Sequence, residues 1–259
     1  MQFVNTRPAS RAVALSQALH QAGVQVYDMP LLTLDTLDLS DKDKRCMGQL
    51  LNSEYQVLVV VSPSAARMGL AQCPYDYVPD YPVIAVGEAT AKILRQRGWQ
   101  VQCPDESSNE GMLNMPMIQQ LSANSRVFIW RGAGGRRLLV DCLRERGIQV
   151  DIVEWYERRC PQSLSEDYQQ LCEKMVGQQD TPMVVLISSG EAFIHWQTVV
   201  ESQKMQVNMP VAAPSLSSFY YFVLGERLSQ RLQALGLQYS QLQSLQSQHI
   251  LDYLYTLDK

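Results

Sequence analysis

Residues 127–136 read Val127-Phe128-Ile129-Trp130-Arg131-Gly132-Ala133-Gly134-Gly135-Arg136. An apolar run of strand length gives way to a small, glycine-rich turn rimmed by arginine. A helix over 135–146 and a strand over 148–157 are expected next, so the stretch opens a βα unit. Moving it back by 124 positions superimposes Arg131 on Arg7, Ala133 on Ala9, Leu139 on Leu15, Leu143 on Leu19, Gly147 on Gly23, Gln149 on Gln25 and Val150 on Val26. Any two βα units share a glycine at the helix end and a leucine stripe. The arginine and glutamine coincidences have no such explanation, and they point to an internal repeat.

A second offset, of 138, lays Gly87-Glu88 on Gly225-Glu226, Leu94 on Leu232, Gly98 on Gly236 and Gln100 on Gln238. Between the two offsets, valine-rich strands ending in serine recur at Ser62 and at Ser188-Ser189. Val57-Leu58-Val59-Val60-Val61 has the unbroken apolar character of a strand covered on both faces. Strands alternate with helices along the whole chain, which predicts parallel sheets flanked by helices. The expected architecture is therefore α/β, in two related domains. The stretch Met205 to Ser218 carries no periodicity and reads as a surface loop.

The 259 residues suffice for two ordinary domains, and an apolar fraction of 46% with 19% charged residues is that of a globular chain. A net charge of −4 argues against nucleic acid or an anionic membrane as partner. Met1 to Pro8 lacks an export signal, and no apolar run is long enough to span a bilayer, so a cytoplasmic protein is expected. The six cysteines and three histidines are scattered, with no CxxC or HExxH spacing. No metal and no cofactor are expected.

Ligands of parallel α/β sheets bind beyond the carboxyl ends of the strands. Here those loops are Thr6-Arg7-Pro8, Ser62-Pro63-Ser64, Gly87-Glu88-Ala89-Thr90, Arg131 to Arg136, Ser188-Ser189-Gly190 and Gly225-Glu226. Amide N–H groups, hydroxyls and guanidinium forks all donate to anions, so the set suits carboxylate or phosphate. The Arg131–Arg136 loop fits neither GxGxxG nor the phosphate loop with its lysine. A turn with solvated arginines and a general anion site remain as its readings. The loops hold no histidine, no cysteine and no carboxylate pair, which leaves a binding module or a reaction that needs little help. Tyr156, in Glu154-Trp155-Tyr156-Glu157-Arg158-Arg159, falls where the repeat boundary lies, and an aromatic packed at a domain junction is its plain alternative.

Taken in order, Thr6-Arg7-Pro8, Val86-Gly87 with Thr90-Ala91, Asn109-Glu110-Gly111, Arg131-Gly132 with Gly134-Gly135-Arg136, Gly147, Tyr156 with Arg158, and Ser188-Ser189-Gly190-Glu191 resemble the uroporphyrinogen-III synthase family. Two positions depart from it: Val61 precedes Ser62 where threonine is usual, and no threonine follows Gly225. The resemblance implies residues 1–32 with 163–259 as one domain, 37–153 as the other, linker strands at 33–36 and 154–162, and an active-site cleft between the domains. It implies a cofactor-independent lyase that cyclises hydroxymethylbilane, a linear tetrapyrrole with eight carboxylates, through a spirocyclic intermediate that inverts ring D. Tyr156 would assist departure of the hydroxyl. Arg7, Ser62, Gly87, Thr90, Asn109, Glu110, Arg131, Gly132, Gly135, Arg136, Ser188, Ser189 and Gly190 would bind the substrate. A monomer in transient contact with hydroxymethylbilane synthase completes the expectation. A two-lobed small-anion sensor and a nucleotide-sugar transferase are the competing readings.

Overall fold

The computed structural model describes residues 1–175, 182–204 and 214–257. The chain starts with β1 (Gln2–Asn5), α1 (Ala9–Gln21) and β2 (Gln25–Asp28). Pro8 stands at the N-cap of α1, where its missing N–H costs nothing, and Gly23 at φ +77° turns the chain into β2. After β3 (Thr33–Thr36) come α2 (Asp41–Leu51), β4 (Val57–Val60), α3 (Pro63–Ala71), β5 (Val83–Ala85), α4 (Glu88–Arg95), β6 (Val101–Gln102), α5 (Asn109–Leu113), α6 (Pro116–Gln119), β7 (Arg126–Arg131), α7 (Leu138–Glu145) and β8 (Gln149–Glu154). The chain then runs through β9 (Tyr156–Arg159), α8 (Leu164–Met175), β10 (Met183–Ile187), α9 (Gly190–Lys204), β11 (Tyr220–Leu224), α10 (Glu226–Ala234), β12 (Tyr239–Leu242) and α11 (Ser247–Leu257).

Two compact units result, Met1–Thr33 with Arg159–Lys259, and Leu34–Arg158. Each holds one all-parallel sheet of five strands, ordered β12-β11-β10-β1-β2 in the first and β6-β5-β4-β7-β8 in the second. The orders correspond strand for strand, β10 with β4 and β1 with β7, as the two sequence offsets require. In both sheets, chain order reverses at the middle: between β4 and β7, and between β10 and β1. Such a reversal leaves a crevice at the carboxyl ends of the two middle strands.

Period-two alternation sends the strand side chains to two cores per unit. In the first unit Val185 and Ile187 pack under α8, α9 and α10, while Val184 and Leu186 pack against Leu15 and Leu19 of α1 and Ile250 and Leu254 of α11. In the second, Leu58 and Val60 meet α2, α3 and α4, and Val57 and Val59 meet the α5 to α7 face. Helix α3 comes so close to Trp130 that a Cβ at Gly69 would stand 2.3 Å from the indole, which explains a glycine inside a helix.

Three sequence expectations are corrected. The strand expected over 148–157 is two strands: Trp155 donates its N–H to the Arg131 carbonyl at 2.9 Å, and its own carbonyl accepts from the Leu37 N–H at 3.0 Å. At Trp155 the chain thus leaves β7 and joins β3, which pairs with β9 in a sheet of two. Strand β12 was not expected at all. In the stretch expected as a surface loop, Leu216–Ser218 forms a 3₁₀ turn, and 205–213 lie outside the described residues.

Candidate active site

In the second unit, the crevice at the ends of β4 and β7 is a recess of about 320 Å³. Its walls come from Val61 and Ser62 after β4, Val86 after β5, Ser107, Ser108 and Asn109 before and at the start of α5, the Arg131–Arg136 loop, Leu139 and Val140 of α7, and Tyr156 and Arg158 of β9. The floor is aliphatic and the rim carries hydroxyls, arginines and backbone N–H groups.

Tyr156 is 4% exposed, its ring joined to the core beside Trp130, Val153 and Trp155. Its hydroxyl donates to Ser62 Oγ at 3.0 Å, and its carbonyl accepts from the Ala133 N–H at 2.7 Å. Ser62 in turn caps α3, its Oγ accepting from the Ala65 N–H at 3.1 Å. With its oxygen accepting two bonds, the Ser62 hydroxyl keeps its proton to donate into the recess.

The arginines differ in their employment. Arg131, 7% exposed, is turned onto its own loop, where Nη2 donates to the Gly135 carbonyl at 2.6 Å and Nε to the Gly132 carbonyl at 3.1 Å, with Glu154 at 3.4 Å. Arg136 is exposed and paired with Glu110 at 2.5 Å, and the guanidinium with a backbone bond holds the Glu110 carboxyl below its ordinary pKa. Arg158 lines the recess, and among the described residues no acid is in ion-pair reach of it. Gly87 and Thr90 do not line the recess: Gly87 caps α4, where a Cβ would stand 2.7 Å from Ser107 Oγ, and Thr90 is buried.

Arg7, Ser188, Ser189 and Gly190 belong to the first unit, at the corresponding crevice of β10 and β1. Ser189 caps α9 as Ser62 caps α3, its Oγ accepting from the Ala192 N–H at 3.2 Å. The buried Thr6 hydroxyl bonds the Leu186 carbonyl and ties the two strand ends together. Arg7 is half-buried and reaches the Leu245 carbonyl at 3.5 Å; burial first, then Arg11, lowers its pKa. Among the described residues it has no acidic partner.

Sequence reasoning did not single out Ser107 or Ser108, and it named Arg158 only as part of the family resemblance, not as a site residue. The signal for Ser108 was its place three residues before Gly111, whose N–H it accepts at 2.9 Å to cap α5. Among the described residues no group of three or more His, Cys, Asp and Glu side chains is placed to hold a metal ion, and no helix is long and apolar enough to cross a membrane.

Duplicated parallel α/β units, each presenting capped helix starts, hydroxyls and guanidinium groups at the reversal of strand order, define a class of two-unit α/β proteins whose crevices are lined with anion donors. A family model described as "Uroporphyrinogen-III synthase HemD" matches residues 13–244. The chain belongs to the uroporphyrinogen-III synthase family, cyclising lyases of tetrapyrrole biosynthesis. Among its relatives, the uroporphyrinogen-III synthase of Proteus mirabilis is 29% identical over 174 residues, 65% of this chain and 85% of that one. That of Escherichia coli is 28% identical over 198 residues, 74% and 76% of the two chains. Solved uroporphyrinogen III synthases share the fold: that of Thermus thermophilus at TM-score 0.60 and 12% identity, over 100% of this chain and 99% of the other, and that of Helicobacter pylori at 0.59 and 15%, over 99% of each.

Proposed function

We propose that the chain converts hydroxymethylbilane to uroporphyrinogen III, with ring D inverted through a spirocyclic intermediate and loss of water. The observation that carries the reading is the Tyr156–Ser62 pair on the wall of a recess otherwise furnished with anion donors. The phenol proton, engaged by Ser62 in the free protein, is at hand for the departing hydroxyl of the substrate. Acetate and propionate groups take the remaining donors: Ser62, Asn109, Gly132, Gly135 and Arg136 of the second unit, and Arg7, Ser188, Ser189 and Gly190 of the first. Gly87 and Thr90 support the wall, and Glu110 orients Arg136. Holding a reactive, flexible chain in one conformation supplies the isomer control, so no strong base is required.

We propose further a cytoplasmic monomer that meets hydroxymethylbilane synthase transiently to receive an unstable product. Incubation with freshly made hydroxymethylbilane, followed by separation of the type I and type III isomers, tests the activity. Type III product supports it. Type I alone, as in the enzyme-free control, overturns it, and binding without turnover favours an anion sensor.

A further inference from the structure

Arg7 and Arg131 are the same residue of the repeat, at the carboxyl ends of the corresponding strands β1 and β7. Their guanidinium groups do opposite things. Arg7 has little fixed protein partnership, with one long contact to the Leu245 carbonyl. Arg131 is buried and donates to three carbonyls of the turn that follows it: Gly132 at 3.1 Å, Gly135 at 2.6 Å and Arg136 at 3.5 Å. Glu154 holds the same guanidinium from the side of β8 at 3.4 Å.

Drawing the carbonyls inward has a complement. Among the described residues, no protein acceptor meets the backbone N–H groups of Gly134, Gly135 or Arg136, whereas Ala133 is anchored to the Tyr156 carbonyl at 2.7 Å. Gly134 sits at φ +71°, the left-handed conformation that successive anion-facing amides require. Helix α7 then starts with no side-chain cap. A Cβ at Gly135 would stand 2.7 Å from Arg131 Nη2, so the loop is closed around the guanidinium.

We infer that Arg131 is a positioning residue: its guanidinium folds the 132–136 turn so that the amides of the turn, and not Arg131 itself, receive a carboxylate of the substrate. The inference rests on the proposed function of this recess. It separates the two repeat copies into a ligand, Arg7, and a brace, Arg131.

The test compares Arg131→Gln, Arg131→Lys and Gly135→Ala in the full chain. In the free protein, the order parameters of the Gly134 and Gly135 amides are expected to fall from about 0.85 to below about 0.6 in all three variants. KM for hydroxymethylbilane is expected to rise roughly ten-fold with a smaller change in kcat, the mark of lost ground-state binding. A lysine keeps the charge but has no planar fork for three carbonyls, so it fails as glutamine does. Recovery of the wild-type KM by lysine, or unchanged order parameters in Arg131→Gln, overturns the inference. Should Arg131→Gln not fold, Gly135→Ala retains the arginine and dislodges it, giving the same two readouts. Looser amides in a chain that makes no type III product support the brace and overturn the proposed substrate.

Discussion

A Cβ at Gly132 would stand 2.5 Å from Cζ of Tyr156, so the Tyr156 ring occupies the space a side chain at position 132 would need. The ring packs in the core with Trp130, Val153 and Trp155, so yielding to a new methyl group means shifting toward the recess and away from its present position. Gly132→Ala is therefore expected to displace the phenol, lowering kcat at least about ten-fold and destabilising the fold by about 1–3 kcal/mol, as overpacking does. Steady-state kinetics and chemical denaturation of the one variant measure both, and wild-type activity would show that the phenol's position is immaterial.

The hydroxyl pair can be dissected. Tyr156→Phe keeps the ring and its packing, removing the proton donor and one bond to Ser62. Expected are a kcat lower by about a hundred-fold, the size of a general-acid contribution, and a nearly unchanged Tm. Ser62→Ala also removes the cap of α3 and should cost about 1 kcal/mol of stability. Near-full activity of Tyr156→Phe would remove Tyr156 from the chemistry.

Arg7 is half-buried and unmatched by an acid among the described residues, and the proposed function gives it a carboxylate of the substrate. Arg7→Gln should raise KM roughly ten-fold at low salt, with Arg7→Lys recovering part of it. The difference from wild type should shrink as ionic strength rises through 0.5 M, because salt screens a partly exposed pair. A gap independent of salt would argue for a packing role.

Gly69→Ala puts a methyl group 2.3 Å from the Trp130 ring. Alanine ordinarily strengthens a helix interior by nearly 1 kcal/mol. Here the clash wins, and a net loss of about 1–3 kcal/mol is expected in denaturant titration.

Burial pushes the Cys73 thiol up to about 11 from 9.0, with Arg97 opposing. For an acid whose folded pKa is raised, the folded state disfavours the thiolate. Its stabilising contribution is whole below pH 9 and is lost as pH rises from 9 toward 11. The advantage of wild type over Cys73→Ala should accordingly narrow across that window, by an amount on the order of 2 kcal/mol, read from denaturation midpoints. A constant difference would show that the thiol ionises in both states alike.

Much of this architecture was readable because it repeats. The offset that pairs Arg7 with Arg131 names β1 and β7 as equivalent strands, and the sheets place them equivalently. Strand β12 escaped because Tyr239-Ser240-Gln241-Leu242 is an edge strand with one fully buried residue, Leu242, and edge strands need little apolar character. The break at Trp155 was invisible since leaving one partner strand for another changes no local propensity. Ser62 and Tyr156 were singled out separately, yet their hydrogen bond joins residues far apart in sequence, which only the fold brings together. The inward turn of Arg131 depends on side-chain direction, on which a repeat is silent.

The register that seats Gln2 beside Met183 also sets a timetable for synthesis. The second unit is one continuous stretch, ready to fold as soon as the ribosome has released Arg158. By then β1, α1 and β2 have long been made, but β10, the other neighbour of β1, has not, and Phe3, Leu15 and Leu19 have no β10, β11 or α11 to cover them. The oldest part of the chain is thus the last to be buried. A nascent chain arrested before Met183 carries a finished domain and a β1-α1-β2 unit whose apolar faces are uncovered, which is the form that chaperones would recognise and proteases would trim.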